Sequence, residues 1–186
     1  AMIIRLNTFL KGYSGVSKEL IDQLKLFINR RIIPVVPEHG AVGTSGDLVE
    51  LSHIALTLIG GGEVFYQNRR RNTKDVLRDP KIDPYKLKVK EGLSLINGTS
   101  VMTGIGALLC DQAQRILRVA TRLGGLALEC VHAYDDSIAK KLHSVRNHLG
   151  QVEIAKNLRE ILSSSKMLRK RSSLKRPAEI NGEFIE

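Results

Sequence analysis

Thr44, Ser45 and Gly46 close a run, PEHGAVGTSG, that places glycines at positions 40, 43 and 46. This tripeptide can do chemistry that no single side chain supplies. Gly46 has no Cβ, so its amide nitrogen can approach the Thr44 carbonyl carbon. Attack there closes a five-membered ring and loses water. Ser45 carries a β-hydroxyl, and a second dehydration leaves a methylene conjugated with the ring. The product is an electrophile that accepts an amine or an electron-rich ring. Gly40 and Gly43 would help the loop reach the compressed geometry that cyclisation requires. The bland alternative is a turn or a phosphate cradle, since G-x-x-G-x-x-G loops serve as both.

The elements that must position this loop read as helices. MIIRLNTFLKG has helical spacing and is broken by Gly12 and Gly15. SKELIDQLKLFINR follows, with Ser17 as N-cap and apolar residues at Leu20, Ile21, Leu24, Phe27 and Ile28. Pro34 and Pro37 end that helix and lead into the loop. Leu48 to Ile59 is again helical and stops at Gly60, Gly61 and Gly62. Residues 63 to 88 are polar, twice interrupted by proline, and read as an irregular insert with room for a short strand pair. Lys90 to Ile96 is helical, NGTS interrupts it, and a long apolar helix covers Val101 to Leu123. Gly124-Gly125 allows a bend or break before Leu126 to His132. Ile138 to Val145 and Gln151 to Leu162 complete the helices. The spacing predicts an all-α fold, a bundle of long helices with one glycine-rich loop. Residues 1–162 form the helical segment, with the loop at 37–48, and 163–186 form a basic, loop-like tail.

Context favours the reactive reading of the loop. GAVGTSGDLVELSHIAL resembles the signature of the aromatic amino acid ammonia-lyase family, which includes histidine, phenylalanine and tyrosine ammonia-lyases and related aminomutases. NTFLKGYSGVS and IPVVPEHG precede the loop in the family's order, and KEGLSLINGTS and HSVRNHLGQVEIAKNLREIL follow it. The resemblance implies a cofactor, 4-methylideneimidazole-5-one (MIO), made from Thr44, Ser45 and Gly46 without any external cofactor or metal. Threonine stands where alanine is usual, but only its carbonyl joins the ring. The resemblance also assigns Asn97 to cofactor contact and substrate positioning, and Leu48 to a place beside the bound side chain. An amide suits the task of Asn97 because it donates to an oxygen where charge gathers. Asn-Gly is also a favoured turn pair, and the turn is compatible with that role.

The implied reaction is non-oxidative deamination of an aromatic L-amino acid. Histidine to urocanate is favoured by Ser52-His53, with phenylalanine, tyrosine and aminomutase chemistry as alternatives. His39, His53, His132, His143 and His148 read as structural. Val49-Glu50 replaces the commoner Ala-Pro, and Leu149 stands where proline is usual. In the family a tyrosine base lies upstream and a carboxylate-binding arginine downstream, and none of Tyr13, Tyr66, Tyr85 and Tyr134 matches the base. Homotetramers are the family's assembly, with sites shared between subunits. A segment holding only the electrophile and Asn97 is expected to be inactive by itself.

The formal net charge of +10 invites a nucleic-acid hypothesis, as a basic helical assembly module. Much of that charge sits in SSSKMLRKRSSLKR, which has six basic residues and no acid. Aromatic residues make up 4% of the chain and do not interleave with the basic clusters, so stacking platforms are missing. Nucleic acid is the lesser reading. No uninterrupted apolar run reaches the roughly 20 residues that span a bilayer, and no secretory signal is visible. Cys110 and Cys130 lack metal-ligand spacing and read as buried free thiols. The expectation is a cytoplasmic protein without a membrane partner.

Overall fold

A computed structural model describes residues 1–42, 46–78 and 82–170. Thr44 and Ser45 lie outside the described residues, as does the tail from 171 onward. The chain divides into two compact units, Ala1–Cys110 and Asp111–Glu186.

The first unit is built on α1 (Met2–Leu10), α2 (Lys18–Asn29), α3 (Leu48–Leu58), α4 (Thr73–Arg78) and α5 (Glu91–Ile96). Leu20, Leu24 and Phe27 of α2 recur at helical spacing and are fully buried, and the Ser17 hydroxyl accepts from the Leu20 amide. They meet Phe9 of α1, Ala55 and Leu58 of α3, Val76 and Leu77 of α4, and Leu95 of α5. Each such side chain contributes about 1.5–3 kcal/mol when removed from water. This core fixes the ends of α3 and α5, which carry the site.

The all-α expectation needs a correction. Three short antiparallel strands, β1 (Ile33–Pro34), β2 (Glu63–Tyr66) and β3 (Arg69–Asn72), form a sheet in that order. Gln67 and Asn68 join β2 to β3 with φ of 49° and 60°, the left-handed pair of a tight hairpin. Ile33 lies opposite Phe65 in the register, while Val64 points into the helical core. The sheet thus packs a loop edge against the helices.

Helix α6 (Ser100–Cys130) is unbroken across Gly124-Gly125, where the sequence allows a bend or break. The open side of Gly125 faces Ile161, Leu158 and Leu162, so glycine there admits a neighbouring helix and does not end its own. Cys110 and Cys130 are free but exposed, contrary to the buried reading, because both lie on α6, most of whose surface is uncovered. The stretch Glu91–Cys130 is also long and apolar enough, by length and composition alone, to cross a membrane. Counting only uninterrupted apolar runs overlooks it, because polar residues dilute the stretch without removing its apolar average. The core of a large helical bundle places the same demand on a helix.

In the second unit, α7 (Lys140–Ser144) and α8 (Leu149–Ile161) follow a 3-10 turn at Asp135–Ile138. Ile138, Ala155 and Leu162 form its small core. Arg169 pairs with Tyr134 in an isolated bridge, so the start of the basic segment is tied to the unit.

Candidate functional site

The exit of the glycine-rich loop meets the turn between α5 and α6. Gly46 has φ of +74°, and a Cβ placed on it would stand 3.2 Å from the Gly98 carbonyl oxygen. Glycine alone accommodates both demands without strain. The next residue, Asp47, is buried and donates its amide to that same Gly98 oxygen at 3.1 Å. Its carboxylate Oδ2 accepts from the amides of Val101 at 2.7 Å and Met102 at 3.0 Å. These are orphan donors of the first turn of α6, so Asp47 caps that helix and complements its positive end. α3 begins at Leu48, directly after Asp47. Two helix N-termini and the C-terminus of α5 therefore converge on Gly46.

Arg5 lies on the other side of this turn. It is 5% exposed, with its guanidinium 5.1 Å from the centre of the Phe9 ring. Nη2 donates to the Asn97 carbonyl at 2.7 Å and also to that of Ser94. A Cβ on Gly98 would collide with Nη1. Burial lowers the Arg5 pKa. Arg5, Ser14, Lys90, Asn97, Thr99 and Ser100 help to line a cleft of about 460 Å³.

The start of α5 is held by a buried carboxylate. Glu91 is 1% exposed. Its Oε1 accepts from the Ser17 amide at 3.0 Å. Its Oε2 accepts from the Tyr85 hydroxyl at 2.8 Å and the Lys88 amide at 2.7 Å. Burial by itself would raise the Glu91 pKa, but these donors outweigh it and hold the carboxyl down at about 2. Burial is likewise the main cause that raises the Tyr85 pKa, with the Glu91 carboxylate adding to it. One residue earlier, Lys90 takes a left-handed φ of 71°.

Of the residues singled out in the sequence, Gly46, Leu48 and Asn97 are brought to one place, together with Asp47. Leu48 is half-buried at the first position of α3. Asn97 is exposed, and its side-chain amide has no hydrogen-bond partner among the described residues. His53 is half-buried on α3. His132 bonds the Met167 carbonyl, and His143 sits between the Ser137 carbonyl and Gln151. Among the described residues no group of His, Cys, Asp and Glu could hold a metal ion. Sequence reasoning missed Arg5, Glu91 and Gly98. A charged residue inside an amphipathic helix looks solvated in one dimension, and only the fold shows that Arg5 and Glu91 are buried. Glu50, noted in the sequence only as a departure from the commoner Ala-Pro, has an Oε2 that is buried without a partner among the described residues.

Comparison with known proteins gives this geometry a context. A family model described as aromatic amino acid lyase matches residues 1–179. A histidine ammonia-lyase of Bacillus velezensis is 42% identical over 166 residues, covering 89% of this chain and 32% of that protein. A histidine ammonia-lyase of Staphylococcus aureus is 41% identical over 174 residues, covering 94% of this chain and 34% of that protein. The crystal structure of a tyrosine aminomutase from Streptomyces globisporus superposes with a TM-score of 0.88 at 35% identity, covering 100% of this chain and 35% of the other. The chain thus spans about a third of the length of the curated relatives it matches.

Proposed function

The chain belongs to the aromatic amino acid lyase family, and on that premise we propose that the protein carrying it releases ammonia from an aromatic L-amino acid, with histidine to urocanate favoured. The observation that carries this reading is Gly46, left-handed and with its Cβ position crowded at 3.2 Å by the Gly98 carbonyl, set against the Asn97-Gly98 turn. These residues fit a cofactor closed from Thr44, Ser45 and Gly46. That ring, 4-methylideneimidazole-5-one, supplies an electrophilic methylene that makes the amino group a leaving group.

The remaining roles belong to side chains and backbone of this chain. Asn97 donates its amide to an oxygen of substrate or cofactor where charge gathers. Asp47 caps α6 and holds the loop exit against the turn. Leu48 lines the place of the substrate side chain. A base for the β-proton and a cation for the substrate carboxylate are also required. We place them in the rest of the protein or in a neighbouring subunit of a homotetramer, and the 186-residue chain alone is expected to be inactive. A cytoplasmic location and the absence of a membrane partner belong to the same proposal.

A second reading has its own support. The likeness to a tyrosine aminomutase favours an enzyme that returns ammonia to the β-carbon, with tyrosine or phenylalanine as substrate. Incubating the complete protein with histidine, phenylalanine and tyrosine separates the two. An unsaturated acid marks the lyase, and a β-amino acid marks the mutase. Ser45→Ala is expected to lose either activity, and Asn97→Ala to lower it about 10²- to 10³-fold while leaving a measurable rate. No product from any of the three, with salt-sensitive nucleic-acid binding instead, would favour the basic assembly module over an enzyme.

A further inference from the structure

Arg5 is a buried cation. Among the described residues no carboxylate pairs with it, and its Nε has no hydrogen-bond partner. Desolvating a guanidinium in this way is costly unless other dipoles compensate. The compensation visible here is the C-terminus of α5. Nη2 takes the carbonyls of Ser94 and Asn97, which are among the carbonyls that a helix end leaves unsatisfied, and the Phe9 ring face adds a weaker attraction. Helix α5 has only six residues, too short to hold its last turn by its own hydrogen bonds.

The geometry then forms a layer. Arg5 touches Asn97 and Gly98 from one side, and Gly46 and Asp47 touch Gly98 from the other. Gly98 lacks a side chain on the face where Arg5 lies. Its carbonyl points to the opposite contact, the Asp47 amide. The turn that presents Asn97 is held between a cation behind it and the capping carboxylate of Asp47 at the start of α6.

Building on the lyase reading, we propose that Arg5 is a positioning residue for Asn97, holding the Asn97-Gly98 turn against Gly46 through the α5 carbonyls. In this role it acts through Asn97 and not on the reacting atoms. Its charged N–H donors are what matter, because an apolar side chain of similar length cannot complement the helix end. Displacing Asn97 by about an ångström is enough to cost 10- to 100-fold in rate.

A double-mutant cycle in the complete protein tests this, with turnover of the accepted amino acid as readout. Arg5→Met keeps the volume and removes the charge, and is expected to lower kcat about 10- to 100-fold. Arg5→Lys keeps the charge and is expected to restore most of the rate. In an Asn97→Ala background, Arg5→Met is expected to cost little more, since the residue it positions is already gone. A merely structural arginine would instead lower activity by the same factor in both backgrounds, and that additivity would overturn the proposal while leaving the lyase reading intact. If Arg5→Met yields no folded protein, Arg5→Lys completes the same cycle. It then supports the proposal if its smaller loss vanishes in the Asn97→Ala background, and overturns it if that loss persists or if Arg5→Lys is as poor as Asn97→Ala. A wild-type protein that forms no product from histidine, phenylalanine or tyrosine removes the lyase reading, and the positioning role falls with it.

Discussion

Replacing Glu91 by glutamine should expose how α5 is anchored. The carboxylate receives three donors, the Ser17 amide, the Lys88 amide and the Tyr85 hydroxyl. A glutamine offers one oxygen and one NH2 group. Whichever way it is flipped, the NH2 faces a backbone N–H that can only donate. One buried donor is left unsatisfied, at about 1–3 kcal/mol, and the remaining hydrogen bonds lose their charge assistance. Linkage gives an independent magnitude. A carboxyl moved from 4.5 to about 2 contributes about 3 kcal/mol of stability at neutral pH. Because the folded pKa is depressed, this contribution is present above pH 4.5 and fades as pH falls toward 2. Denaturant unfolding of wild type and Glu91→Gln should therefore differ by about 2–3 kcal/mol at neutral pH. The two curves should draw together in acid, where the wild-type carboxyl is itself protonated. Hydrogen exchange at the Ser17 and Lys88 amides should accelerate in the variant. An equal stability at neutral pH, or a gap that does not narrow in acid, would refute the reasoning.

Other outcomes follow from the same structure. Asp47→Ala removes the cap of α6 and should cost about 1–2 kcal/mol in unfolding, with faster exchange at Val101 and Met102. In an ultraviolet titration, one tyrosine should ionise above the ordinary value of 10.0, since burial and the Glu91 carboxylate both oppose the phenolate. Tyr85→Phe should abolish that late step. The Arg70–Glu63 pair across the hairpin is exposed on both sides, so Arg70→Ala should leave the melting temperature unchanged.

Much of the first unit could be read from the chain. The spacing of Leu20, Leu24 and Phe27 marks the buried face of α2 because burial and helical period coincide there. The end of α3 before its three glycines and the break at NGTS were equally visible. The sheet was harder. Ile33 pairs with Phe65 from beyond the intervening helix α3, and the hairpin turn uses Gln67 and Asn68 without a glycine. At Gly124-Gly125 a local rule misled, since the glycine answers to α8 packing against it. Gly46 stands out by residue type and order, and Asn97 and Leu48 through the family resemblance; the structure sets Gly46 against the Asn97-Gly98 turn. Arg5 and Glu91 do not stand out, since what makes them matter is burial against partners about ninety and seventy residues away.

The central claim concerns the bond between Gly46 and Thr44, and intact mass tests it most directly. The complete protein should weigh two waters less than its sequence requires, with the deficit mapped to the peptide holding Thr44, Ser45 and Gly46 and abolished by Ser45→Ala. An unmodified mass in a protein that still converts an aromatic amino acid would contradict the account.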